Sequence, residues 1–106
     1  MIPESLKNTI VQAIKPFNPE KIILFGSFAY GSPQMDSDID IFVIKDITEK
    51  EIRDYRVNIN KVLWQQLKDK QYPIDVLIDS PHRIKQRIES GDQFYQKIIT
   101  EGENLL

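Results

Sequence analysis

Three short runs, Lys21–Phe25, Asp38–Ile44 and Ile74–Ile78, are apolar at most of their positions. A strand with one wet face alternates apolar with polar residues, whereas these runs leave one or two polar positions each. Each therefore reads as a strand covered on both faces. Strands of that kind need helices packed over them, which confines the chain to a layered α/β architecture.

The intervening segments supply those helices. Ile2–Ile14 places Leu6, Ile10 and Ile14 at four-residue spacing with Val11 beside them, and Pro3 suits a first helical turn. Pro16 and Pro19 end that helix and lead into the first strand. After Gly26, SFAYGS predicts a single helical turn stopped by Gly31, Ser32 and Pro33, with a loop over Pro33–Ser37. Thr48 and Glu51 form an S/T-x-x-E capping box. The helix they start carries one apolar stripe, Ile52, Tyr55, Ile59, Val62, Leu63 and Leu67, with Trp64 at its border, and is expected to reach about Lys70. Ser80 and Pro81 are an N-cap and first residue for a helix with Ile84 and Ile88 inward. Ser90, Gly91 and Asp92 break it, and a last helix bears Phe94, Tyr95, Ile98 and Ile99 and stops at Gly102. The predicted order is α-β-α-β-α-β-α-α around a three-stranded core.

Length and composition narrow the function. The 106 residues fit one small domain, residues 1–106, and 41% hydrophobic with 28% charged residues describes a globular chain. A net charge of -2 gives no bulk attraction to nucleic acid or to an anionic membrane. The absence of cysteine removes disulfides, thiolate catalysis and Cys-ligated zinc. No apolar run approaches the ~20 residues needed to cross a bilayer, and MIPESLKN lacks the basic and apolar regions of a signal peptide. A soluble cytoplasmic location is expected.

Chemistry concentrates in GSFAYGSPQMDSDIDIFV, Gly26 to Val43. Asp38 and Asp40 stand two residues apart on a strand, so they point to the same side with Cα atoms roughly 6.5 Å apart. Oxygen ligands so placed suit hard divalent cations. A plainer explanation is polar decoration at a strand entrance, with Asp36 and Ser37 in a turn. Asp40 resists it, because a carboxylate between Ile39 and Ile41 is costly to bury without a partner. The D-S-D-x-D cluster is no EF-hand loop, lacking the Gly and terminal Glu. Asp75 repeats the anomaly in a third apolar run. It either pairs with a lysine or arginine, or joins Asp38 and Asp40 around a metal. Gly26 and Ser27 sit where a strand yields to a helical turn, where backbone N–H groups can hold phosphate oxygens and Ser27 adds a hydroxyl; a simple turn is the ordinary alternative. No Walker A pattern is present. His82, the one histidine, reads as a surface helix residue, and Tyr30 is set apart from the other tyrosines by lying inside the turn.

G-S-x-A-x-G, a short loop, S-D-x-D with apolar residues after it and a third Asp on a later strand together resemble the nucleotidyltransferase superfamily, the DNA-polymerase-beta-like fold. The resemblance covers almost the whole chain. The ending FYQKIITEGENLL and the small size are similar to the minimal nucleotidyltransferases of bacteria and archaea. The resemblance implies a small mixed three-stranded sheet packed by helices. It also implies nucleotide phosphates on Gly26 and Ser27, with Tyr30 in the same turn, and two Mg²⁺ ions on Asp38 and Asp40. Asp75 would bind one metal and help activate the attacking hydroxyl, with ATP as donor. The commonest form of the motif has Arg where Tyr30 stands; tyrosine can hydrogen-bond or stack but brings no positive charge.

Such minimal proteins are often antitoxins paired with a HEPN-domain RNase toxin, so the resemblance implies a tyrosine hydroxyl of that toxin as acceptor. Two other readings compete. A module that neutralises a toxin by contact alone would keep the site as a relic. Transfer to a small molecule would need an acceptor-binding domain that 106 residues hardly accommodate.

Overall fold

A computed structural model describes residues 2–31, 38–67 and 73–106. The predicted loop over Pro33–Ser37, the last turn toward Lys70 and Tyr72 lie outside the described residues. Strands β1 (Lys21–Phe25), β2 (Ile39–Ile44) and β3 (Ile74–Asp79) form on the three apolar runs. Their residues alternate between two cores. Ile22, Leu24, Ile39, Ile41, Val43, Val76 and Ile78 belong to one cluster, and Ile23, Phe25, Phe42 and Ile44 to the other. Both faces are covered, as the lack of polar alternation requires.

Helices α1 (Glu4–Ile14) and α3 (Glu49–Leu67) cover the first face. On α3 the predicted stripe holds: Ile59, Leu63 and Leu67 are buried, and Ile52, Tyr55 and Val62 pack against them half-buried. Trp64, expected at the stripe's border, is instead 68% exposed. The capping box is formed, with Thr48 N donating to Glu51 Oε1 at 3.0 Å. Helices α4 (Pro81–Glu89) and α5 (Gln93–Glu101) cover the second face through Ile84, Tyr95 and Ile98. Ser80 Oγ caps α4 by accepting from Arg83 N, and Asp92 caps α5 by accepting from Tyr95 N. A short turn, α2 (Ser27–Tyr30), follows β1.

The sheet is mixed, with β1 antiparallel to β2 and β2 parallel to β3. It has four strands in the order β3-β2-β1-β4, where three were expected. The addition, β4 (Glu103–Asn104), pairs with Ile23 and Leu24 of β1, and Leu105 N donates to Ile22 O at 2.7 Å. Two polar residues carry no strand periodicity; they are recruited through the backbone by an otherwise open edge. Gly102 makes the approach possible, since a Cβ there would collide with the Ile23 side chain. Its φ of -69° shows that close packing, and no left-handed cap, is what requires glycine.

Strand order also corrects one expectation. The apolar run predicts Asp75 inside a buried strand, but β3 is an edge strand and Asp75 near its start is exposed. The buried carboxylate of β3 is Asp79, at the other end of the strand and 3% exposed.

Candidate active site

Strand direction brings the predicted residues to one end of the sheet. In the antiparallel pair Phe25 lies opposite Asp40, so Gly26 emerges beside Asp40. In the parallel pair Asp40 lies opposite Asp75, on neighbouring strands ~4.8 Å apart. Asp40, Phe42 and Ile44 share a face, as do Asp75, Leu77 and Asp79, so both carboxylates project on the α4/α5 side. Asp38, just before the strand, is exposed, and its charge reaches Asp40. Asp40 is half-buried.

Gly26 is the tightest point of the arrangement. Its φ of 76° is left-handed, and a Cβ would strike Asp40 Oδ2 and come within 3.1 Å of Asp40 Cγ. The turn's backbone thus lies directly on the Asp40 carboxylate. Ala29 N and Tyr30 N both donate to Gly26 O at 3.0 Å, closing the turn. The first N–H groups of a helical turn find no acceptor within the turn itself. Ser27 occupies the first of these positions.

Electrostatics single out Asp40. Burial raises its pKa above the usual carboxylate range, and the Asp75 and Asp38 charges raise it further. Among the described residues no side-chain hydrogen bond or ion pair reaches the carboxylates of Asp38, Asp40 or Asp75, so the lysine or arginine that would have explained Asp75 is not found. Also among the described residues, no three His, Asp or Glu groups close into a metal-holding cluster. Unscreened carboxylates repel one another, which opposes such closure before a cation binds. The donor set is all hard oxygen, with Asp40 partly desolvated and without protein cations, and its chemistry suits a hard divalent cation.

Tyr30 packs half-buried against the second core. Burial raises its pKa; the Gly26 backbone hydrogen bond opposes the rise, and the Glu101 and Asp40 charges add to it. Lys97 of α5 holds its Nζ 4.6 Å from the centroid of the Tyr30 ring. Phe94, one turn earlier and 56% exposed, stands edge-on to Phe25 at 5.9 Å. Phe94, Lys97 and Glu101 follow one another at helical spacing, which marks a common face of α5 in the sequence; nothing local says that the face meets the Gly26–Tyr30 turn.

With this geometry in view, the family model described as nucleotidyltransferase domain matches residues 6–105. The chain belongs to the nucleotidyltransferase domain family. None of the curated proteins matches it significantly in sequence. A solved structure described as a toxin-antitoxin MntA-HpeT mutant matches the fold with a TM-score of 0.61 at 22% identity, over 94% of this chain and 72% of that one. The nucleotidyltransferase fold expected from the sequence is thus present, with one strand more. Among the described residues no helix is long and apolar enough to cross a membrane.

Proposed function

We propose that this chain is a Mg²⁺-dependent adenylyltransferase that acts as an antitoxin by modifying a tyrosine of a HEPN-domain RNase toxin, with ATP as donor. The observation that carries the reading is the register that sets Asp40 beside Asp75, with the Gly26 backbone pressed on Asp40. Phosphate and carboxylates are thereby assigned to one small volume. In that state repulsion between them is prohibitive unless divalent cations intervene.

Gly26 and Ser27 would hold phosphate oxygens through backbone N–H groups and the Ser27 hydroxyl. Asp38, Asp40 and Asp75 would hold two Mg²⁺ ions, which when bound stabilise charge on the entering and leaving oxygens. The acceptor hydroxyl attacks the α-phosphorus in line. A new P–O bond forms, the bond to the bridging oxygen breaks, and pyrophosphate leaves. Asp75, exposed on an edge strand, is open to the acceptor and is the group assigned to take up the hydroxyl proton. The half-buried Asp40 is the more rigid ligand.

The similar fold of a toxin-antitoxin protein supports the partner assignment. The mutant toxin-antitoxin pair in that crystal structure carries two Asp-to-Glu exchanges two positions apart; Asp38 and Asp40 have the same spacing. Neutralisation by binding alone is the second reading, favoured by Tyr30, which leaves the turn without a cation of its own.

Incubating the chain with its partner toxin, Mg²⁺ and ATP labelled at the α-phosphate separates the two. Label should appear on a toxin tyrosine and disappear with Asp38→Ala or Asp40→Ala. An unlabelled toxin that is nevertheless neutralised, including by the Asp38/Asp40/Asp75 triple alanine variant, would establish the binding reading instead.

A further inference from the structure

We propose that Lys97 binds the β- and γ-phosphates of the nucleoside triphosphate, aimed at them by the ring of Tyr30. This rests on the nucleotidyl-transfer reading above and names a residue that the sequence motif does not contain.

Helix α5 turns Tyr95 and Ile98 into the core and keeps Phe94, Lys97 and Glu101 at its surface. Phe94 touches Phe25, the residue opposite Asp40, and Lys97 lies over Tyr30, the last residue of the turn that follows Phe25. This surface of α5 therefore flanks the carboxylate end of the sheet. It brings positive charge to a turn whose own residues, Gly26 to Tyr30, have none.

The position of Lys97 has a further peculiarity. Glu101 stands four residues along the helix, the usual distance for an ion pair. Yet among the described residues no carboxylate lies within ion-pair distance of Lys97. Its ammonium is held by the ring face instead. A cation–π contact at an exposed position is a weak restraint beside a charge-assisted bond to phosphate, so the lysine can turn from ring to ligand without breaking a stronger interaction. A triphosphate with its α-phosphorus beside the carboxylates must send its remaining charge away from them, and the Tyr30 end of the turn is where a cation meets it. Lysine suits the task as a point charge on a flexible stem.

The test compares binding of a non-hydrolysable ATP analogue and of AMP by calorimetry with Mg²⁺ present. Lys97→Ala should weaken the triphosphate analogue about tenfold and leave AMP unchanged, because AMP lacks the phosphates in question. Lys97→Met, which keeps the stem over Tyr30, should behave like Lys97→Ala, and Lys97→Arg should restore affinity to within about threefold. Equal losses for both ligands, or none for the triphosphate while Asp40→Asn abolishes its binding, would overturn the role of Lys97 and leave the nucleotidyl-transfer reading standing. A wild-type chain that binds neither ligand would overturn both.

Discussion

Asp40 and Asp79 face the same side of one sheet, yet their surroundings differ in nearly every respect. Asp79 is 3% exposed and fully served: Ser80 N at 2.9 Å and Arg83 Nε at 2.8 Å donate to Oδ1, and Tyr95 Oη at 2.6 Å donates to Oδ2. Arg83 extends the set to Glu49 at the start of α3, 3.1 Å away. Asp40 is less buried, but its neighbours are Asp75 and Asp38, and among the described residues it has no donor. A buried carboxylate surrounded by donors fastens elements together. One surrounded by carboxylates costs stability and persists because something else needs it. The partners, more than the burial, separate the structural aspartate from the one proposed to act in the chemistry.

The contrast can be broken most forcefully at Asp40. Asp40→Asn should lower nucleotidyl transfer roughly a thousandfold by removing one charged ligand while leaving the shape of the site. A variant that retains transfer within tenfold would remove Asp40 from the chemistry.

The next effect in size belongs to Asp79. Asp79→Ala strands the Tyr95 hydroxyl and the Ser80 N–H and leaves Arg83 only Glu49 as an ion partner, and should cost about 3 kcal/mol in urea unfolding. Transfer per folded molecule should change little, since Asp79 lies at the far end of β3 from Asp75.

The smallest effect sharpens the comparison through pH. The folded-state pKa of Asp40 is raised, so its ionised form opposes folding. That penalty is complete above the folded pKa and fades as pH falls through it toward the ordinary carboxylate value. Without metal, Asp40→Asn should therefore be more stable than wild type at neutral pH, and the gap should close on acidification. Added Mg²⁺ should raise the melting temperature of wild type and not of Asp40→Asn. A neutral-pH destabilisation by Asp40→Asn without metal would contradict the raised pKa.

Much of this was readable in the chain. The strands announced themselves by missing polar alternation, and α3 by its stripe from Ile52 to Leu67 and its capping box. Gly26 and Asp40 were legible because glycine before a helical turn and a carboxylate inside an apolar run are both locally anomalous. Other features depended on assembly. The exposure of Asp75 follows from strand order, which no local pattern encodes. Nothing local distinguishes Asp79, next to Ser80-Pro81, and its bond to Tyr95 depends on another helix. Lys97 meets Tyr30 only after α5 is packed. β4 has no side-chain signature, since its pairing uses backbone groups alone.

That last strand bears on how the protein is made. β1 acquires its outer neighbour from Glu103 and Asn104, and Lys7 of α1 is tied to the same segment by a 2.8 Å ion pair with Glu103. During synthesis the apolar KIILF segment must wait with one edge unpaired until residues 103–105 leave the ribosome. Until β4 is made, the nascent chain is thus open to intermolecular strand pairing along β1, and residues 103–105 act as a latch on a sheet already assembled.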